Sequence, residues 1–141
     1  MHECLLSSNS MEWATPQYVF DALNNEFGFT LDPCATIENA KCSKFFTKQE
    51  NGLLQSWKGE RVFCNPPYGK EISKWVEKCD HEIRNGCELI VLLIPARTDT
   101  KYFHDYIYQK HDIRFIKGRL HFNDVKQGAP FPSMIVVMKK R

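Results

Sequence analysis

Asn65-Pro66-Pro67-Tyr68 is the tetrapeptide of this 141-residue chain whose residue types and order point most directly to chemistry. Residues 61–64 before it read as a strand, so two consecutive prolines follow at once as a rigid, extended segment without two N–H donors. The carbonyls of the segment and the Asn65 amide remain as acceptors that no neighbouring strand claims. The amino group of a planar substrate can donate one hydrogen to the Asn65 oxygen and the other to the Pro66 carbonyl, while Tyr68 stacks on the ring. Accepting both hydrogens draws the nitrogen lone pair out of conjugation and aims it at an electrophile. A proline-rich strand-to-helix turn with Asn65 as a local cap accounts for the same residues equally well.

A second candidate is the turn Asp32-Pro33-Cys34-Ala35, which also follows a short apolar strand. It is open to a cofactor, or is a plain turn with Asp32 as its cap. Other chemistries lack their patterns. No G-x-G-x-x-G and no G-x-x-x-x-G-K occurs, and the five histidines form no Ser/His/Asp or H-E-x-x-H arrangement. Six cysteines include no C-x-x-C pair; Cys79, His81 and Cys87 come nearest to a zinc set, and no metal is expected. With no signal-peptide pattern at the N-terminus, the cysteines read as small core residues in a reducing cytoplasm.

The elements that must position these residues follow from periodicity. Thr15-Pro16 reads as a helix start with Thr15 as N-cap; Val19, Phe20, Leu23 and Phe27 recur at helical spacing, and Gly28 closes the helix. Residues 29–31 read as a strand ending in Asp32, and residues 44–47 as a weak second one. Residues 71–85 form the clearest helix, with Ile72, Trp75, Val76, Cys79 and Ile83 on one face. Residues 89–94 are uniformly apolar, as in a strand buried on both faces of a parallel sheet. A helix over 100–110 and strands over 113–116, 119–122 and 134–138 complete the chain. Alternating strands and helices predict an α/β fold with a mostly parallel sheet, in which ligands bind beyond the carboxyl ends of the strands. Asp32, Asn65 and the segment 96–100 all fall at such ends.

Length predicts one compact domain over residues 12–141, preceded by a lead-in at 1–11. Hydrophobic residues at 43% can fill a core of that size, and the longest apolar stretch, 89–96, is far short of the ~20 residues a membrane span needs. The net charge of +2 is unevenly placed: residues 110–141 carry 8 basic and 2 acidic side chains, against 11 basic and 15 acidic before them. That distribution suits a polyanionic partner, or simply a solvated tail.

Taken together the chain resembles the short phage and prophage Dam-type DNA N6-adenine methyltransferases. Four blocks carry the resemblance: Glu12-Trp13-Ala14-Thr15-Pro16; Leu31-Asp32-Pro33-Cys34-Ala35 with Asn39-Ala40-Lys41-Cys42; Phe63-Cys64-Asn65-Pro66-Pro67-Tyr68-Gly69; and residues 93–100 with Phe103. Gly118-Arg119-Leu120 and Phe122 add a weaker fifth. The resemblance implies a Rossmann-like S-adenosylmethionine-dependent methyltransferase fold, with a mostly parallel central sheet and helices on both faces. It places the catalytic amine motif at Asn65, Pro66, Pro67 and Tyr68. Trp13, Thr15, Pro16, Asp32, Pro33, Cys34 and Ala35 match the segments that hold the methionine end of the cofactor, and Glu50, Asn51 and Leu53 lie where its adenine and ribose are read. The chain departs from the family pattern in three ways. Asn65 follows Asp32 by only 33 positions, the glycine-rich cofactor loop is replaced by Asp-Pro-Cys-Ala, and no separate target-recognition domain is expected.

The activity so implied is methyl transfer to the exocyclic amine of an adenine swung out of double-stranded DNA. Arg97, Thr98, Arg119, Lys139 and Lys140 are the expected DNA contacts, and Phe131 either walls the base or packs in the core. Neither membrane nor metal is expected as a partner, and monomer and homodimer both stay open. The expected location is the cytoplasm, that of the host cell if the gene is phage-borne. Two other readings remain: an amino-group methyltransferase acting on a protein glutamine or RNA, and a DNA-binding module that has lost catalysis.

Overall fold

The computed structural model describes residues 13–140; the expected lead-in at 1–11 and the terminal Arg141 lie outside the described residues. Helix α1 (Gln17–Phe27) buries Val19, Phe20, Leu23 and Phe27, the stripe its spacing predicts. Gly28 ends it in the left-handed conformation (φ 68°), its N–H bonded to Asn24 O at 2.8 Å. The predicted N-cap is different. Pro16 occupies that position and has no side-chain oxygen to cap with; Thr15, one residue earlier, accepts from Asn65 Nδ2.

Strands β1 (Leu31–Asp32), β2 (Lys44–Phe45), β3 (Arg61–Cys64) and β4 (Leu89–Pro95) pair in parallel, and β5 (Asp112–Phe115) and β6 (Ser133–Lys139) complete one six-stranded sheet. The order is β2-β1-β3-β4-β6-β5. β6 runs antiparallel to both β4 and β5, so the sheet is mixed rather than uniformly parallel. β4, central and flanked by β3 and β6, is buried along all seven residues.

Successive residues of a strand face opposite sides of the sheet, and β3 shows what covers each side. Phe63 meets Phe20 of α1 edge-on at 5.2 Å. Cys64, its neighbour, meets Cys79 of the second helix, α2 (Ile72–Arg84), and burial pushes the Cys64 thiol well up from its ordinary range. The two helices therefore pack on opposite faces. The helix expected over 100–110 is reduced to a short π-helical turn, Phe103–Ile107, that buries Phe103 and Ile107. Residues 119–122 form no strand. Ala129 N bonds Leu120 O at 2.8 Å and Phe122 begins a 3-10 turn, so the segment closes a loop over 120–129.

The register fixes which end of the sheet each basic residue occupies. β5 ends and β6 begins at the carboxyl end of β4, so the whole excursion 116–132 lies there, bringing Lys117, Arg119 and Lys126 with it. Lys139 is opposite Leu89 and Lys140 N bonds Glu88 O, at the other end of β4, about 20 Å away at ~3.3 Å per residue. Among the described residues no helix is long and apolar enough to cross a membrane.

Candidate active site

At the carboxyl ends of β1 and β3 a cavity of about 480 Å³ opens, of the size that takes a cofactor-sized ligand. The parallel pairing of β1 with β3 places Asp32 and Asn65 in its wall together, as their positions at strand ends predict. Pro66, Pro67 and Tyr68 line it too, as do Trp13, Thr15, Pro33, Cys34, Ala35, Asn51 and Leu53. Pro16 and Glu50 are absent from the lining. Glu50 turns its carboxylate to the Thr47 N–H and hydroxyl, both at 2.8 Å, and these hydrogen bonds hold its carboxyl below the usual range.

Asn65 carries the most informative hydrogen bonds. Its Nδ2 donates to Trp13 O and to Thr15 Oγ1, the latter at 2.9 Å. A peptide carbonyl can only accept, so the NH2 group must be the one that faces Trp13 O, which settles the orientation of the amide. Oδ1 is left buried with no partner among the described residues. Buried acceptors are nearly always satisfied, and leaving one bare costs about 1–3 kcal/mol.

Tyr68 has its hydroxyl on Leu93 O at 3.2 Å, and burial raises its phenol well above the ordinary range. Only its ring is available for recognition. The ring lies near-parallel to Trp13 (20°, centres 6.5 Å apart), with Phe131 edge-on to both at 5.5 and 5.2 Å and Phe122 completing the group. Trp13 and Tyr68 also wall a second cavity, about 460 Å³, whose other side holds Pro95, Arg97, Thr100 and Phe131. Trp13, expected on the cofactor side, thus separates two chambers. Phe131 is both packed and exposed to the second chamber. Thr98 is at the surface just beyond, with its carbonyl 2.8 Å from His104 Nε2, and Arg119 reaches Ala129 O at 3.3 Å.

Asp32 is the other group held in an uncomfortable state. Its carboxylate accepts from Cys34 N (3.3 Å) and Lys41 N (3.0 Å), yet desolvation outweighs both bonds and raises its pKa to about 6. Lys41 N had no signal in the sequence, since nine residues separate donor from acceptor. Gly52 has a steric role beside the same loop. A Cβ built there would sit 2.1 Å from Pro33 O, so only glycine lets the Gly52–Leu54 turn close on the Asp32 loop. Trp57 Nε1 holds that turn through Gly52 O at 3.0 Å and stacks on Trp75, which also lines the cavity. Among the described residues no three His, Cys, Asp or Glu side chains are grouped as metal ligands.

The site thus combines a cavity at parallel strand ends, an amide oxygen without a partner among the described residues, and an aromatic wall. Residues 4–141 match the family described as DNA N-6-adenine-methyltransferase (Dam). The chain belongs to that family. It is 31% identical over 113 residues to the DNA N-6-adenine-methyltransferase of Escherichia phage T1, an alignment covering 77% of this chain and 45% of the phage protein. The chain thus spans less than half the length of that relative. It is also 38% identical over 65 residues to YfdM of Escherichia coli (strain K12), covering 40% of this chain and 70% of YfdM.

Two outcomes follow from the geometry. Gly52→Ala drives a methyl into the Pro33 carbonyl and should lower stability by about 1–3 kcal/mol, read from denaturant unfolding. Asp32 binds its proton more tightly folded than unfolded. Its contribution is therefore complete below about pH 4 and is lost as pH rises to about 6, a fall of about 3 kcal/mol for a shift of about two units. Denaturant unfolding across that range should show the decline in the wild type and a flatter profile for Asp32→Asn.

Proposed function

We propose that this protein is an S-adenosylmethionine-dependent methyltransferase of Rossmann-like fold that acts on the N6 amine of adenine in double-stranded DNA. The observation that carries this reading is the buried, unpartnered Oδ1 of Asn65 at the mouth of a proline-rigid segment. Adenine N6 is weakly basic, and two acceptors are what it lacks. Asn65 Oδ1 takes one of its hydrogens and the Pro66 carbonyl the other, which localises the lone pair on nitrogen. Tyr68, Trp13 and Phe131 supply the flat walls against which a base turned out of the duplex packs.

The larger cavity fits the cofactor in size and in charge. Asp32 is a buried carboxylate raised by desolvation, and a cationic ligand group beside it restores its ionised form. Cofactor binding should therefore weaken below about pH 6. Pro33, Cys34 and Ala35 would follow the methionine end with Trp13 and Thr15, and Asn51 and Leu53 the adenine end. When bound, S-adenosylmethionine supplies a methyl already activated on a sulfonium, so the chain's own residues need only orient, desolvate and accept.

The excursion 116–132 and the segment 97–98 bring cations to this edge, and in this reading Arg97, Arg119, Lys117 and Lys126 would meet phosphates with Thr98. Lys139 and Lys140, at the opposite end, are left out of that surface, and Arg114 is bound to Glu26 through two bonds of 2.7 and 2.5 Å.

The test is to incubate the protein with methyl-labelled S-adenosylmethionine and unmethylated duplex DNA, then identify the labelled nucleoside. Label in N6-methyladenine is expected, and label in cytosine, in protein glutamine or in nothing would contradict the reading. Asn65→Ala should slow transfer about a hundredfold or more while leaving cofactor affinity within about threefold.

A further inference from the structure

We propose that Asn123 is a positioning residue for the amine acceptor, holding Asn65 in its working orientation through the strap at residues 13–15. The proposal rests on the functional reading above for its catalytic consequence, and on the hydrogen bonds alone for its structural one.

Residues 13–15 precede α1 without regular structure, yet both polar backbone atoms of Ala14 are bonded to one residue more than a hundred positions away. Ala14 N donates to Asn123 Oδ1 at 3.0 Å, and Asn123 N donates to Ala14 O at 2.9 Å. The residues on either side of Ala14 supply the two acceptors of the Asn65 amide, Trp13 O and Thr15 Oγ1. The strap is therefore fixed from opposite sides, by Asn123 at its middle and by Asn65 at both flanks.

Asn123 itself sits at φ 59°, ψ 18°, inside the turn Phe122–Asp124. Asn and Asp are the side-chain-bearing residues that tolerate this left-handed conformation best. The position thus requires two properties at once: a left-handed backbone and an acceptor of the right length. Phe122, the preceding residue, packs its ring on Trp13 at 5.6 Å and on Tyr68 at 6.1 Å, so the same turn also fixes the aromatic wall.

The chemical consequence lies in the symmetry of an amide. Rotating the Asn65 side chain by half a turn exchanges Oδ1 and Nδ2 and would present two N–H donors to an amine that is itself a donor. What prevents the exchange is that Trp13 O and Thr15 Oγ1 can hold Nδ2 where they are. If Ala14 slips, both acceptors move with it and the flipped amide gains population. Trp13 and Thr15 also line the cofactor cavity, so a slipped strap weakens cofactor binding as well, and the loss specific to the amide is the one that persists at saturating cofactor.

The test compares Asn123→Gly, which keeps the left-handed backbone and loses the acceptor, with Asn123→Asp, which keeps both. Asn123→Ser, whose hydroxyl is one bond shorter, serves as a second loss variant. Thermal melting first establishes that each is folded. On duplex DNA at saturating cofactor, the Gly and Ser variants are expected to lose about tenfold in kcat, and Asn123→Asp to recover most of it. Hydrogen exchange of the Asn65 side-chain amide, followed by NMR on the free protein, reports the same restraint without any reaction. It should quicken about tenfold in the Gly and Ser variants and stay near wild type in Asp. Wild-type kcat in a folded Asn123→Gly protein, or unaltered exchange there, overturns the proposal. A wild type that exchanges as described but transfers no methyl overturns the functional reading and leaves Asn123 as the residue that orients Asn65.

Discussion

The bond from Asn65 Nδ2 to the backbone of the strap ahead of α1 is the constraint on which the site depends. It spends the donors of the amide on the protein itself and so fixes Oδ1 as the face left for something else. The bond joins parts of the chain about fifty residues apart, the end of β3 and the approach to α1, and it engages the Thr15 hydroxyl one residue ahead of the Pro16 N-cap.

Two polar groups at this edge are held in states that cost stability: an acceptor without a donor at Asn65, and a carboxylate stripped of water at Asp32. Each is a penalty of a few kcal/mol at most, and both are tolerable because the sheet beneath them is well packed. β4 is buried over its full length and β3 brings Phe63 and Cys64 to opposite helices. The stable centre of the sheet and the unsatisfied edge are thus complementary. Perturbed groups of this kind cluster at ligand-binding sites, which is the ground for proposing an amine at Asn65 and a cationic ligand group at Asp32.

Much of this was legible in the sequence because it is local. The apolar run 89–94, the helical stripe of α2 and the punctuation by Gly28 each follow from a few adjacent residues, and they appear as read. The convergence of Asp32 and Asn65 was legible too, because parallel strands present their carboxyl ends together. What was not legible is long-range. Nothing near Thr15 announces that its hydroxyl will turn to Asn65, nor does anything near Asn123 announce Ala14. The antiparallel sense of β6 was likewise hidden, and with it the fact that Lys139 and Lys140 leave the site while Lys117 and Lys126 approach it. Charge counted along the chain does not show which end of the sheet each lysine occupies. Nor does it show that the Glu50 carboxylate is held by Thr47, three residues away.

The most direct measurement is a crystal structure of the protein with the demethylated cofactor product and an adenine-containing oligonucleotide. The account predicts that the exocyclic amine of one adenine lies within hydrogen-bond distance, roughly 2.7–3.2 Å, of Asn65 Oδ1, with Nδ2 still on Trp13 O and Thr15 Oγ1. An adenine amine bound elsewhere, or an Asn65 amide turned so that Nδ2 faces the base, would contradict it.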